Sequence, residues 1–247
     1  MYLFVIKIRF HFRLDELDKV KYLFPIFRCD FDMTYTLFKK LISLSRKIFF
    51  EVVSPKFKTA PLKNLMDYFY VIFEKIGCKI EVIAEYYLDM YDEVVDKEIN
   101  MANISKDDKI LVVGGGSIPA TSLLISIKTN ANVVSIDSDE SAVINSQQLI
   151  KNKFSKVQLD VIYADAADFP MNTYDHIFVL YGVKNQRELL KKIHDQITQN
   201  TTVLLRTTKD SFQKKIGEPF LSDYFSIKQS IDSETIKGSR SILLVKK

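Results

Sequence analysis

Three consecutive glycines, Gly114, Gly115 and Gly116, follow the apolar run "KILVV" and lead through Ser117 and Ile118 into Pro119-Ala120-Thr121. Glycine admits positive φ and lets a ligand come close to bare backbone. Proline fits a first helical turn, because its missing N–H would have no intrahelical partner there. A helix start also offers free N–H groups and partial positive charge. Residues 109–129 therefore read as a strand, a binding turn and a helix. Asp137, followed by Ser138, lies 21 residues after Gly116 and closes a second apolar run, "NVVSID". An acid at that distance sits at the tip of the second strand, where its carboxylate accepts hydrogen bonds from a ribose diol. A third run, "VQLDVIYADAADF", carries Asp165 and Ala166 at its end, where the Asp165 carboxylate can address an adenine amino group. The competing reading makes the glycines a plain tight turn, Asp137 a helix cap and Asp165 a solvated loop acid.

These residues need a scaffold that brings three strand tips together. From about residue 106 onward, short apolar runs alternate with helix-like segments at 119–129, 139–152 and 185–198. That alternation predicts a parallel sheet covered on both faces. A fourth run, "YDHIFVLYG", and a fifth, "NTTVLLRTT", extend the sheet, and "YFSIKQSI" with "SRSILLVKK" reads as an antiparallel hairpin at its edge. Residues 1–104 have a different texture: one glycine, Gly77, and long three-to-four spacing of apolar residues, as in "LKNLMDYFYVIFEKI". The expected fold class is α/β, with a mainly helical N-terminal domain over 1–104 and a Rossmann-like sheet domain over 105–247. A dinucleotide loop usually carries one more glycine for packing around pyrophosphate, and Pro119 holds that slot here. The loop suits a ligand without pyrophosphate, such as S-adenosylmethionine, and the layout resembles the S-adenosylmethionine-dependent methyltransferase fold.

The bulk properties remove other classes. With 35 basic and 31 acidic residues the net charge is only +4, and no Lys/Arg block or aromatic-basic interleaving marks a nucleic-acid surface. Cys29 and Cys78 stand far apart, and His11, His176 and His194 are scattered, so no protein-bound metal or redox pair is expected. The opening "MYLFVIKIRFHFRL" is too short to span a bilayer and is interrupted by Lys7 and Arg9. A cytoplasmic chain with no membrane partner is expected.

"DKEINMANISKDDKILVVGGGSIPATSLLIS", with "LLRTTKD" at 204–210 and the closing "KGSRSILLVKK", resembles the nicotianamine synthase family, including archaeal members and the bacterial opine-metallophore aminobutanoyltransferases. The resemblance spans roughly residues 95–247 and implies a helical domain before a methyltransferase-like one. It further implies transfer of the 3-amino-3-carboxypropyl (aminobutanoyl) group of S-adenosylmethionine to a small-molecule amine or amino acid. Methylthioadenosine is then released, and the nicotianamine-like product, not the protein, binds metal. Choosing that carbon is a positioning problem, and the attacking amine must be neutral, so a carboxylate or phenol is expected as base. By the same resemblance Glu85, then Glu81, are candidates to grip the transferred group. The family aromatic that follows the acid of "DKEINM" is Ile99 here. Either another tyrosine of "EYYLDMYDE", Tyr91 among them, substitutes, or the acceptor is handled differently, or the activity is lost. Arg206 is a candidate to pair with a substrate carboxylate. The implied cofactor contacts are Gly114–Ser117, Pro119, Thr121, Asp137, Ser138, Asp165 and Ala166. A small-molecule methyltransferase and a non-catalytic nucleotide-binding protein are the competing functions, and a homodimer is left open.

Overall fold

The computed structural model describes residues 81–247 apart from 209–211, 213–215 and 237. The proposed helical domain lies outside the described residues except for its last helix. That helix, α1 (Glu81–Ala102), is followed by β1 (Lys109–Val113), α2 (Ala120–Thr129), β2 (Asn132–Asp137), α3 (Glu140–Lys153) and β3 (Leu159–Tyr163). Then come β4 (His176–Val179), α4 (Gln186–Gln196), β5 (Thr202–Thr208), α5 (Glu218–Tyr224), β6 (Phe225–Asp232) and β7 (Ser239–Lys246). The sheet order is β3-β2-β1-β4-β5-β7-β6. All neighbours are parallel except β7, which runs antiparallel to both β5 and β6.

Strand β1 is buried along Ile110, Leu111, Val112 and Val113, and β4 throughout, because helices cover both faces of the central strands. Alternation is lost there, which is why "KILVV" and "HIFV" read as continuous apolar runs. The edge strand β3 is freer, with Ile162 and Tyr163 exposed. From β1 the chain winds outward through β2 to β3, then returns to place β4 on the other flank of β1. That reversal is a topological switch point, and the crevice at the carboxyl ends of β1 and β4 is where such sheets take ligands.

Helix α1 packs on α2 and on the ends of β5 and β7. Its buried face is Ala84, Tyr87, Tyr91, Val94, Val95, Glu98 and Ala102, spaced three or four apart along the helix but for the adjacent valines. Lys128 of α2 reaches Asp92 and Asp96 of α1 at 2.8 and 2.7 Å. Glu93 accepts from Ser233 and Thr235 in the turn between β6 and β7, at 3.2 and 2.9 Å. No described helix is long and apolar enough to cross a membrane.

Candidate functional site

The glycine turn is built against strand β2. The N–H groups of Gly114 and Gly115 donate to Ile136 O at 2.9 and 3.3 Å. Gly114 has φ +86° and Gly116 φ +70°, both in the left-handed region that glycine adopts without a Cβ penalty. Gly115 needs to be glycine for a different reason: a Cβ there would stand 2.2 Å from Ser135 Oγ. A Cβ on Gly114 would come within 2.9 Å of Val183 Cγ2, in the loop after β4. Pro119 occupies the N-cap position of α2, and Ser117, Pro119 and Thr121 are buried beneath the turn.

Asp137 faces this turn from the end of β2. Its Oδ2 accepts the Gly116 N–H at 2.8 Å, and its Oδ1 accepts the Asp139 N–H at 2.9 Å. Each carboxylate oxygen keeps a further lone pair for an outside donor. Asp137 does not cap the next helix. Asp139 does, accepting from the Ser141 and Ala142 N–H groups at 2.9 and 3.3 Å. The half-buried Asp137 is thus held at the turn without a capping duty, with Ser138 exposed beside it. The loop after β3 is tied to the same tip, since Ala164 N donates to Asp137 O at 3.1 Å. In that loop Asp165 is exposed and its Oδ1 accepts the Ala167 N–H at 2.8 Å. The structure thus ties the glycine turn to Asp137 and anchors the loop that carries Asp165 and Ala166 at the same strand tip through Ala164.

A second cluster lies where α1 meets β5. Arg206 and Glu98 are fully buried, at 1% and 0% exposure, and face each other as a two-point pair. Arg206 Nε donates to Glu98 Oε1 at 2.8 Å and Nη2 donates to Oε2. Nη1 donates to Thr121 Oγ1 at 2.8 Å, and Ser241 donates to Glu98 Oε1 at 2.5 Å. The guanidinium carbon lies 5.3 Å from the Tyr91 ring centroid and 5.9 Å from that of Tyr181. Burial alone would lower the arginine's proton affinity, but the Glu98 carboxylate outweighs it and holds the group above the ordinary arginine range. The sequence suggested a substrate carboxylate as the partner of Arg206; the structure pairs it with the chain's own Glu98 in its place. Thr121 and Tyr91 are likewise engaged with Arg206. This cluster clamps the last helix of the N-terminal half to the sheet.

No family model matches the chain. Over 122 residues it is 28% identical to the L-histidine 2-aminobutanoyltransferase of Yersinia pestis, covering 49% of this chain and 45% of that protein. Over 79 residues it is 32% identical to the ribosomal RNA small subunit methyltransferase A of Fusobacterium nucleatum, covering 32% of this chain and 30% of that one. It thus spans less than half the length of either curated relative. A solved point mutant of the nicotianamine synthase MtNAS superposes with a TM-score of 0.64 at 16% identity, over 76% of this chain and 78% of that one. The complex of MtNAS with MTA and tNA gives 0.63 at 17% identity, over 72% and 71%. The complex of its mutant with S-adenosylmethionine gives 0.62 at 17% identity, over 71% of each chain.

In sequence and in fold, the chain resembles the nicotianamine synthase-like proteins.

Within that resemblance, Ile99 is half-buried on α1 next to the clamp acid Glu98. Glu85 is half-buried on the same helix, more than three turns before the clamp, and Glu81 opens the helix. The sequence reading missed three participants. Glu98 was legible as an acid on an otherwise apolar helix face, a position a carboxylate occupies only when paired. Ser241 carries no such signal. Neither does Lys192 of α4, whose Nζ donates to three carbonyls of the loop after β3.

Proposed function

We propose that this chain transfers the 3-amino-3-carboxypropyl group of S-adenosylmethionine to the amine of a small-molecule acceptor, an amino acid or similar compound, and releases methylthioadenosine. The observation that carries the reading is the likeness to an aminobutanoyltransferase across half of the chain, more than the methyltransferase likeness covers. The fold shared with MtNAS points the same way.

The donor fits the crevice by its chemistry. Gly114–Gly116 give the adenosyl group open backbone, and the spare lone pairs of Asp137 accept from the two ribose hydroxyls. Asp165 and Ala166 meet the adenine edge, Ser138 lines the approach, and the buried Ser117 and Pro119 support the turn from beneath. With the ribose on Asp137 at the β1–β2 tips and the adenine edge toward β3, the sulfonium and its carbons extend over the glycine turn toward β4, because that is the strand order. The acceptor nitrogen forms a bond to the chosen carbon while the carbon–sulfur bond breaks and its electron pair passes to sulfur. The amine proton goes to a base, a carboxylate or phenol beside the acceptor, and Glu85 of α1, then Glu81, are the candidates to grip the transferred group. Tyr91 supports α1 through Arg206 and is not assigned the proton. Thr121 and Arg206 hold the helices that frame the site.

Identifying the released nucleoside tests this. The purified chain is incubated with S-adenosylmethionine and pooled amino acids including histidine. Methylthioadenosine supports the proposal, and S-adenosylhomocysteine would establish methyl transfer in its place. Binding without consumption would make the chain a non-catalytic adenosyl binder.

A further inference from the structure

We propose that Lys192 is the positioning residue that fixes the base-reading loop and sets discrimination for adenine over other purines. The proposal rests on the adenosyl site of the preceding section. Lys192 lies on α4, which follows β4 in sequence, yet its ammonium reaches the loop after β3. There Nζ donates to Ala166 O at 2.9 Å, Ala167 O at 2.6 Å and Phe169 O at 2.9 Å. An ammonium has three N–H bonds and no acceptor capacity, so three carbonyls complete its valence. Charged donors make the stronger hydrogen bonds. A single side chain therefore holds three of the carbonyls of the five-residue turn 165–169.

The rest of the turn is arranged around this contact. Asp168 N and Phe169 N both donate to Asp165 O, at 3.0 and 3.1 Å, and Ala167 N donates to the Asp165 carboxylate at 2.8 Å. With carbonyls 166, 167 and 169 drawn inward to Lys192, the side chain of Asp165 is left on the outer surface at the mouth of the crevice. Burial lowers the proton affinity of the ammonium, and the charges of Asp168 and Asp165 work against that. The lysine is thus coupled electrostatically to the carboxylate that meets the adenine amino group. Without Lys192, three inward carbonyls lose their partner, and only the turn's own hydrogen bonds to Asp165 remain to set its orientation. Asp165 then no longer stands at a fixed height over the crevice. Loss of that fixed height reduces the preference for a 6-amino group more than it reduces binding of the ribose, which belongs to Asp137.

The test measures equilibrium binding of methylthioadenosine and of methylthioinosine, which has a carbonyl in place of the 6-amino group, by calorimetry. The wild-type chain is expected to favour methylthioadenosine by on the order of tenfold, about one hydrogen bond's worth of discrimination. Lys192→Met should bring the ratio below about threefold, with the thermal unfolding midpoint recorded alongside. Lys192→Arg, which keeps a cation with several N–H donors, should restore most of the ratio. Should the methionine variant not fold, Lys192→Gln is read in the same way. An unchanged ratio in the variant overturns the proposal even if both affinities fall together, since that is what loss of stability alone would do. A wild-type ratio near one overturns it too. Failure of the wild-type chain to bind methylthioadenosine at all would instead remove the adenosyl site itself, a different and separable result.

Discussion

Replacing Glu98 by alanine leaves Arg206 charged, fully buried and without its carboxylate. Arg206 stays protonated in the variant because a guanidinium does not lose its proton in a folded protein, even though the Glu98 carboxylate that raised its proton affinity is gone. Two of its hydrogen bonds go to Glu98 and one to Thr121, so two of the three are lost. Breaking a buried pair from one side costs about 3–5 kcal/mol. With a urea slope of about 2 kcal/mol per molar, the unfolding midpoint should fall by about 1.5–2.5 M. Far-UV circular dichroism follows the transition. The pair itself adds little beyond an apolar replacement of similar volume, so Glu98→Leu combined with Arg206→Met should recover most of the loss. If Glu98→Ala unfolds within about 0.5 kcal/mol of the wild type, the clamp is not what holds α1 to the sheet. An Arg206→Met variant of unchanged stability but raised acceptor KM would restore the role in substrate binding that the sequence had led us to expect.

The other predictions concern the crevice and its surroundings. Gly115→Ala should weaken methylthioadenosine binding by more than about tenfold, because its Cβ meets Ser135 Oγ at 2.2 Å. Adding Ser135→Ala removes that oxygen and leaves Ser135 Cβ at an ordinary 3.5 Å, so the double variant should bind again; calorimetry on both decides it. Glu85→Gln should weaken S-adenosylmethionine binding by about tenfold while leaving methylthioadenosine affinity unchanged, because only the former carries the aminocarboxypropyl group that Glu85 grips; calorimetry with both ligands checks it. The Asp108 carboxyl sits below its ordinary range: burial would raise it, but hydrogen bonds from Ser105 and the contact with His176 prevail. A lowered carboxyl contributes stability above its unfolded value, and that contribution is lost as the pH falls through the folded one. Asp108→Asn should therefore flatten the acid limb of a stability–pH curve below about pH 4, and an unaltered limb would count against the contact.

Much of the sheet was readable because its signals are local. Runs such as "KILVV" and "NVVSID" are buried on both faces, and the helices between them fix a parallel order. The tail hairpin was also legible, but not that β7 would insert between β5 and β6, since that depends on non-local pairing. At the site, the glycine turn and Asp137 were legible from spacing, because backbone conformation and strand length set both. The division of labour between Asp137 and Asp139 was not, since either acid suits a cap and only the fold decides which N–H groups each one faces. Arg206 drew attention as a cation with a carboxylate to find. Its partner sits 108 residues earlier, on a helix whose apolar face shows in its spacing but whose docking place on the sheet does not. Lys192 was invisible for the same reason: its three acceptors are main-chain atoms, which leave no trace in side-chain types.

The central claim is that adenosine lies across the turn at Gly114–Gly116, with its ribose on Asp137. A crystal structure of the chain with methylthioadenosine tests it most directly. The account predicts both ribose hydroxyls within hydrogen-bonding distance of the Asp137 carboxylate and the adenine edge at Asp165. A nucleoside bound away from the β1–β2 tips, or with its sugar out of reach of Asp137, would contradict it.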